Sequence, residues 1–238
     1  MTGRQLRPRA RKQSIRMSKM SGSSPVGSDM IVTAIEPYPK GKGRVSIYLN
    51  DRFAFVLYKG ELSTYDLDVG TVMTDELYER IMTKTLFVRA KKRGMNLLKI
   101  MDRTEADVRR KLSEGGYPPE AVDVAIDYLK SYHYIDDLRY AGQYISFKSS
   151  SMSRKQIGNK LAGKGIHKDI IEAAFGRYEA ESGEDGSESE KKLIKKLIRK
   201  KYPGDLDTIS YEDRQKLFAY LYGKGFSISM IEEVYFSL

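Results

Sequence analysis

Between Met30 and Tyr58 the apolar residues fall on alternate positions: Ile31, Thr33 and Ile35, then Val45, Ile47 and Leu49, then Phe53, Phe55 and Leu57. A period of two places each set on one side of a strand, so the pattern predicts a three-stranded meander with turns at Pro39-Lys40-Gly41 and Asn50-Asp51. Past residue 72 the spacing becomes helical, first over residues 75–89 and then in three segments that align with one another. Val108 and Leu112, Ile157 and Leu161, and Leu217 and Leu221 form the apolar face of a short helix in each segment. Four positions after each second leucine stands Gly116, Gly165 or Gly225, followed by the bulky Tyr117, Ile166 or Phe226. A glycine there ends the helix in the left-handed conformation, and the next side chain folds back onto the helix.

A second helix then follows, with Val122 and Ile126, Ile171 and Phe175, or Ile231 and Tyr235 facing the first. Eight positions before each leucine sit Thr104, Ser153 and Asp213, all residue types that cap helix N-termini. An entry helix precedes each pair. The first carries Met95, Leu97, Leu98 and Met101, the second carries Leu138, Ala141, Tyr144 and Ile145 behind the capping acids Asp136 and Asp137, and the third runs from Lys191 to Lys201. The expected fold is mainly α: three tandem three-helix, helix-turn-helix-like repeats in an elongated stack with a continuous core, after a small β-rich N-terminal subdomain. The expected divisions are a tail at 1–29, the meander at 30–73, a connecting helix and repeat 1 at 74–132, repeat 2 at 133–182, and an acidic linker with repeat 3 at 183–238.

The aromatic string Arg52-Phe53-Ala54-Phe55-Val56-Leu57-Tyr58 looks like a base-stacking strand of RNA-recognition motifs, but no second aromatic strand stands at a suitable spacing. Core packing is the expected fate of Phe53 and Phe55.

Charge adds a second layer. The chain of 238 residues has a formal charge of +10, and residues 1–28 hold seven bases and no acid, which leaves +3 for the rest. The tail is expected to be disordered, either a solvated leader or a basic arm for nucleic acid. Within the repeats, ten bases from Lys84 to Lys111 face only Asp102, Glu105 and Asp107. Residues 179–190 hold six acids and read as a linker, and residues 191–201 hold seven bases around an inner face of Leu193, Ile194, Leu197 and Ile198.

Several chemistries drop out. Without cysteine there is no thiolate nucleophile or cysteine-bound metal, and His133 and His167 are the only imidazoles. They are expected at helix boundaries. Gly41-Lys-Gly43, Gly163-Lys-Gly165 and Gly223-Lys-Gly225 do not fit the phosphate-loop pattern. The expectation is a non-enzyme without cofactor or metal, located in the cytoplasm, since no apolar run is long enough to span a membrane or to form a secretion signal.

Three strings carry a resemblance. Arg103-Thr-Glu-Ala-Asp-Val-Arg-Arg-Lys-Leu112, Tyr134-Ile-Asp-Asp-Leu-Arg-Tyr-Ala141 and Leu161-Ala-Gly-Lys-Gly-Ile166 are similar to those of the RecX family of recombination regulators, over residues 90–238. His133 stands where the family often has glycine, and Glu114-Gly-Gly116 lacks the lysine that Lys164 and Lys224 supply in the other repeats. The resemblance implies a non-enzymatic modulator that binds the RecA recombinase filament on single-stranded DNA and suppresses its ATP hydrolysis, strand exchange and co-protease activity; a monomer without membrane contact is the accompanying expectation. The candidate surface for RecA acids or for single-stranded or duplex DNA comprises Lys91, Lys92, Arg93, Arg103, Arg109, Arg110 and Lys111, joined by Arg139, Arg154, Lys155, Lys160 and Lys164. The competing reading is a stand-alone nucleic-acid-binding protein using the helix-turn-helix-like units and the tail.

Overall fold

The computed structural model describes residues 30–183, 185–204 and 206–238; the expectations for residues 1–29 lie outside them. Three antiparallel strands open the described residues: β1 (Met30–Pro37), β2 (Arg44–Leu49) and β3 (Arg52–Tyr58). Asn50 and Asp51, at φ 46° and 62°, make the tight left-handed turn between β2 and β3. Helix α1 (Lys59–Tyr65) and a two-residue strand β4 (Val72–Met73) follow, and the sheet has the order β3-β2-β1-β4. The sequence pattern contained no periodic signal for α1 or for so short a fourth strand.

Bulges re-aim two of the strands. Register shifts occur between Val32 and Ala34 in β1 and opposite Ala54 in β3, and each extra residue reverses the side on which the following positions lie. Val32 is therefore buried while Ile31 is exposed, and Phe53 is 48% exposed while Phe55 is fully buried. The expected core role of Phe53 is corrected: its ring lies edge-on to Tyr48 on the outer face. Val45, Ile47 and Leu49 point inward as the alternation predicts.

The helical part begins with α2 (Asp75–Ile81), continues without a break through a π-helical segment (Met82–Leu86) and runs into α3 (Phe87–Ile100), so the connecting helix and the first entry helix are one rod. Thr74 caps its start. Repeat 1 is α3 with α4 (Glu105–Ser113) and α5 (Pro119–Ser131). Repeat 2 is α6 (Asp137–Lys148), α7 (Arg154–Ala162) and α8 (Lys168–Ser182). Repeat 3 is α9 (Gly186–Lys201), α10 (Tyr211–Gly223) and α11 (Ile228–Tyr235).

The glycine turn is the same in all three repeats. Gly116, Gly165 and Gly225 have φ of 82°, 83° and 92°. The following residue returns its N–H to the anchoring leucine's carbonyl, at 3.4 Å from Tyr117 to Leu112, 3.2 Å from Ile166 to Leu161 and 3.4 Å from Phe226 to Leu221. All three leucines are fully buried.

Two expectations change in repeat 3. Helix α10 starts one turn earlier than the alignment predicts: Ser210 is its cap and accepts from the Asp213 N–H at 3.1 Å, so Asp213 lies inside the first turn. The acidic stretch is mostly helix. Helix α8 continues to Ser182, Gly183 ends it at φ 66°, and α9 begins at Gly186 under an Asp185 cap. Glu188 in the first turn of α9 and Arg199, Lys200 and Lys201 in its last turn match the helix dipole, which favours helix over loop here.

The core is not continuous. The sheet and repeat 1 share one cluster, from Val32 and Phe55 through Leu112 to Leu129; repeat 2 has its own around Ile145, Ile157 and Leu161; repeat 3 has a third around Ile194, Leu217 and Leu221. Each repeat buries its apolar face internally, leaving polar joints between neighbours. No helix among the described residues is long and apolar enough to cross a membrane.

Candidate interaction surface

At each joint a helix cap has two jobs. Thr104 accepts the Asp107 N–H at 3.2 Å to start α4, and its hydroxyl donates to the Lys164 carbonyl of repeat 2 at 2.9 Å. Ser153 does the same one repeat later, accepting from Gln156 N–H at 3.2 Å and donating to the Lys224 carbonyl of repeat 3 at 2.6 Å. Both hydroxyl residues are buried. The carbonyls come from the residue just before Gly165 and Gly225, so each left-handed turn seats on the preceding repeat. The turn of repeat 1 lands on the sheet instead, where the Val56 N–H donates to the Gly116 carbonyl at 3.2 Å. The caps are visible in the sequence but the latches are not; the signal for them is the recurrence of Thr or Ser eight positions before one leucine together with Lys-Gly after the next.

A further tie crosses the first joint. Asp136 caps α6 by accepting from Arg139 N–H at 2.9 Å, while Asp137 reaches back to accept from Glu105 N–H at 2.9 Å. Burial outweighs that hydrogen bond and pushes the Asp137 carboxyl up from its ordinary range. His133, at φ 55°, adopts the left-handed backbone that suits glycine. His167 caps α8, its Nδ1 accepting from Asp169 N–H at 3.4 Å.

The twelve candidate bases divide into three sets. Arg103, Arg109 and Arg110 are threaded into an ion-pair network on α4. Arg103 meets Asp107 at 2.6 Å, Arg110 meets Asp107 at 2.5 Å and Glu114 at 2.8 Å, and Arg109 meets Glu105 at 2.8 Å and Asp123 at 2.5 Å, with Lys130 closing on Glu105 at 2.8 Å. Arg154 occupies the second joint, between Glu172 at 3.0 Å and Glu179, over the Phe175 ring at 4.2 Å, while its N–H donates to Glu190 at 2.8 Å. Arg139 makes a longer pair with Asp102 at 3.8 Å.

The second set is the lysines held over tyrosine rings: Lys91 lies 5.2 Å from the Tyr128 ring, and Lys164 lies 5.8 Å and 5.9 Å from Tyr140 and Tyr144. The third set comprises Lys92, Arg93, Lys111, Lys155 and Lys160, which have no carboxylate within ion-pair distance among the described residues. Lys92 and Arg93 lie on α3, Lys111 on α4, and Lys155 and Lys160 on α7, so the free bases of this set fall on both of the first two repeats. The joint between repeats 1 and 2 is hollow. A cleft of about 460 Å³ opens there, with Arg103, Arg110 and Lys164 on its walls beside Asp102, Asp107 and Tyr140.

The network on α4 predicts an acid-sensitive stability. Burial alone would raise the Glu105 carboxyl, but hydrogen bonds from Lys130 and Arg109 outweigh it and hold it below the usual range; Arg103 and Arg110 do the same for Asp107 against its burial. Because the folded-state values lie below the unfolded ones, these carboxylates lend stability that is complete above the ordinary carboxylate pKa of about 4 and is lost as pH falls through the folded-state values. Glu105→Gln is expected to flatten the acid limb of a plot of melting temperature against pH, and an unchanged limb would contradict that assignment.

Comparison with known proteins agrees with the repeat boundaries seen here. The models of the first, second and third three-helix domains of RecX match residues 90–129, 136–174 and 188–235. The regulatory protein RecX of Clostridium acetobutylicum is 28% identical over 205 residues, covering 85% of this chain and 94% of that protein, and the one from Clostridioides difficile is 26% identical over 210 residues, covering 86% and 93%. A crystal structure of a regulatory protein RecX superposes with a TM-score of 0.54 at 29% identity, over 86% of this chain and 98% of the other. RecX from Lactobacillus salivarius superposes at 0.51 with 25% identity, over 63% and 94%. With three family domains in the family's order, each closing on the same leucine and glycine turn, the chain belongs to the RecX family of regulatory proteins.

Proposed function

We propose that this chain modulates the RecA recombinase by lying along its filament on single-stranded DNA, as a monomer in the cytoplasm and without making or breaking covalent bonds itself. The observation that carries the reading is the jointed repeat. Three three-helix units, joined at each seam by polar ties that include one hydroxyl-to-carbonyl hydrogen bond, place unpaired bases on the first two units. An array of that kind suits a partner that is itself a repeating polymer, because many weak contacts along it add as avidity. The polar joints let the units follow the partner's curvature without opening an apolar core. Lys92, Lys155 and Lys160, exposed and without a carboxylate partner among the described residues, are the side chains available to acids on such a partner, whereas Arg109 and Arg154 are committed inside the chain.

The experiment is ATP hydrolysis by RecA on single-stranded DNA with this protein titrated to stoichiometry. Turnover is expected to fall several-fold, and Lys92→Glu combined with Lys155→Glu and Lys160→Glu is expected to weaken the effect. If stoichiometric protein neither slows nor speeds turnover, the reading fails.

A further inference from the structure

A second cleft, of about 420 Å³, lies where the N-terminal sheet meets repeat 1. Five bases converge on it from four separate elements: Lys40 from the β1–β2 loop, Arg44 from β2, Arg89 and Arg93 from α3, and Lys111 from α4. Glu114 is the one carboxylate on its wall, and Arg110 already pairs with it at 2.8 Å.

Two of the bases are fixed in place. Arg44 donates to the Lys40 carbonyl at 3.0 Å and to the Gly115 carbonyl, with its guanidinium 4.7 Å from the Tyr38 ring centre. Arg89 pairs with Glu61 and lies 4.7 Å from the Tyr58 ring centre. Lys40, Arg93 and Lys111 have no acid within ion-pair distance among the described residues. Burial pushes the Tyr117 phenol up while Arg89, Arg44 and Arg93 pull it down, which reflects how closely those three charges crowd one side chain.

Unpaired cations cost nothing at an exposed tip, but gathering them in one recess sets like charges against each other. The tyrosines give the recess a second character. Tyr58 is about half exposed at its edge, and Tyr117 lines its wall.

We propose that this cleft is a seat for the phosphodiester backbone of a single-stranded nucleic acid, with Lys40, Arg93 and Lys111 on the phosphates and Tyr58 beside a base. Bases on a groove that tracks phosphates, interleaved with aromatic rings, are the recognition chemistry of single strands. A rigid duplex carries its phosphates on a convex surface and cannot lower them into a recess, whereas a flexible strand can. Carboxylates of an acidic peptide would satisfy the cations but leave the rings without a stacking partner. The assignment does not rest on the recombinase reading, since its test contains no RecA and either can fail alone.

The test is fluorescence anisotropy of a labelled oligothymidylate with the full chain over a salt series. Wild type is compared with Lys40→Gln/Arg93→Gln/Lys111→Gln and with the charge-matched control Lys168→Gln/Lys196→Gln/Lys200→Gln, exposed lysines of repeats 2 and 3 away from the cleft, so that the basic tail contributes equally to all three. The cleft variant is expected to bind at least about tenfold more weakly, with its log–log salt slope reduced by about 2, while the control keeps the wild-type slope. Equal losses in the two variants would mean a diffuse charge effect and would overturn the proposal. So would a duplex of the same length bound as tightly as the single strand, or polyglutamate displacing the label as well as unlabelled oligothymidylate does. Both variants alter exposed or half-exposed side chains, and thermal melts checked by circular dichroism confirm that each is folded before its affinity is compared.

Discussion

Replacing Gly165 by valine is expected to destabilise the protein by about 2–4 kcal/mol and to lower its melting temperature by roughly 5–10 °C. Two costs combine. At φ 83° a side chain meets its own backbone, which is worth about 1–2 kcal/mol. A Cβ built at Gly165 would also stand 2.3 Å from the Ala106 Cβ of repeat 1, so the two repeats could no longer close on each other. The turn and the joint would have to part, taking with them the Thr104 hydrogen bond to the Lys164 carbonyl. Most of the damage should appear already in Gly165→Ala, because the first carbon is the one that collides. Gly176→Ala is the control of opposite sign: nothing lies within 4 Å of a Cβ there, in the interior of α8, and alanine should stabilise by about 0.5–1 kcal/mol. A Gly165→Val protein that melts at the wild-type temperature would disprove the joint.

Leu161→Ala should be at least as costly, about 2–5 kcal/mol, because the side chain is fully buried and its loss leaves a cavity. The distribution of that loss is the more telling result. Leu161 belongs to the core of repeat 2, which is separate from the core shared by the sheet and repeat 1 and from that of repeat 3. Units with separate cores can open separately. Amide exchange in α6, α7 and α8 is therefore expected to accelerate sharply, while amides around Phe55, Leu112 and Leu129 keep most of their protection. A uniform acceleration over the whole chain would show one cooperative core and contradict the segregation.

The repeat itself was legible because its determinants are local. A left-handed glycine, the bulky residue after it and leucines four apart specify a helical turn through contacts within a dozen residues, and the same spacing at Leu112, Leu161 and Leu221 made the unit visible three times over. Strand faces were less legible. Alternation assigned Val45, Ile47 and Leu49 correctly but misplaced Ile31 and Phe53, since one bulged residue inverts a period of two and leaves no mark on the hydrophobic pattern. The start of α10 is ambiguous in the sequence: Ser210 and Asp213 are both capping types three positions apart, and only the hydrogen bond from Asp213 N–H to Ser210 shows which one begins the helix.

The candidate bases were legible as a list and not as a surface. Charge counting treats Arg93 and Arg109 alike, yet Arg109 is held by Glu105 and by Asp123 fourteen positions away, while Arg93 opens into a cleft shared with residues of the sheet.

From the sequence alone came the helical class, the three-fold repeat, the glycine turns and the family resemblance, all of which depend on neighbours along the chain. The tertiary structure decided that the core divides into three, that Thr104 and Ser153 latch one repeat to the next, and that Lys40 and Lys111, 71 positions apart, face one recess. Those are meetings between segments far apart in the chain, and composition and spacing hold no record of which carbonyl or which carboxylate a distant side chain will reach.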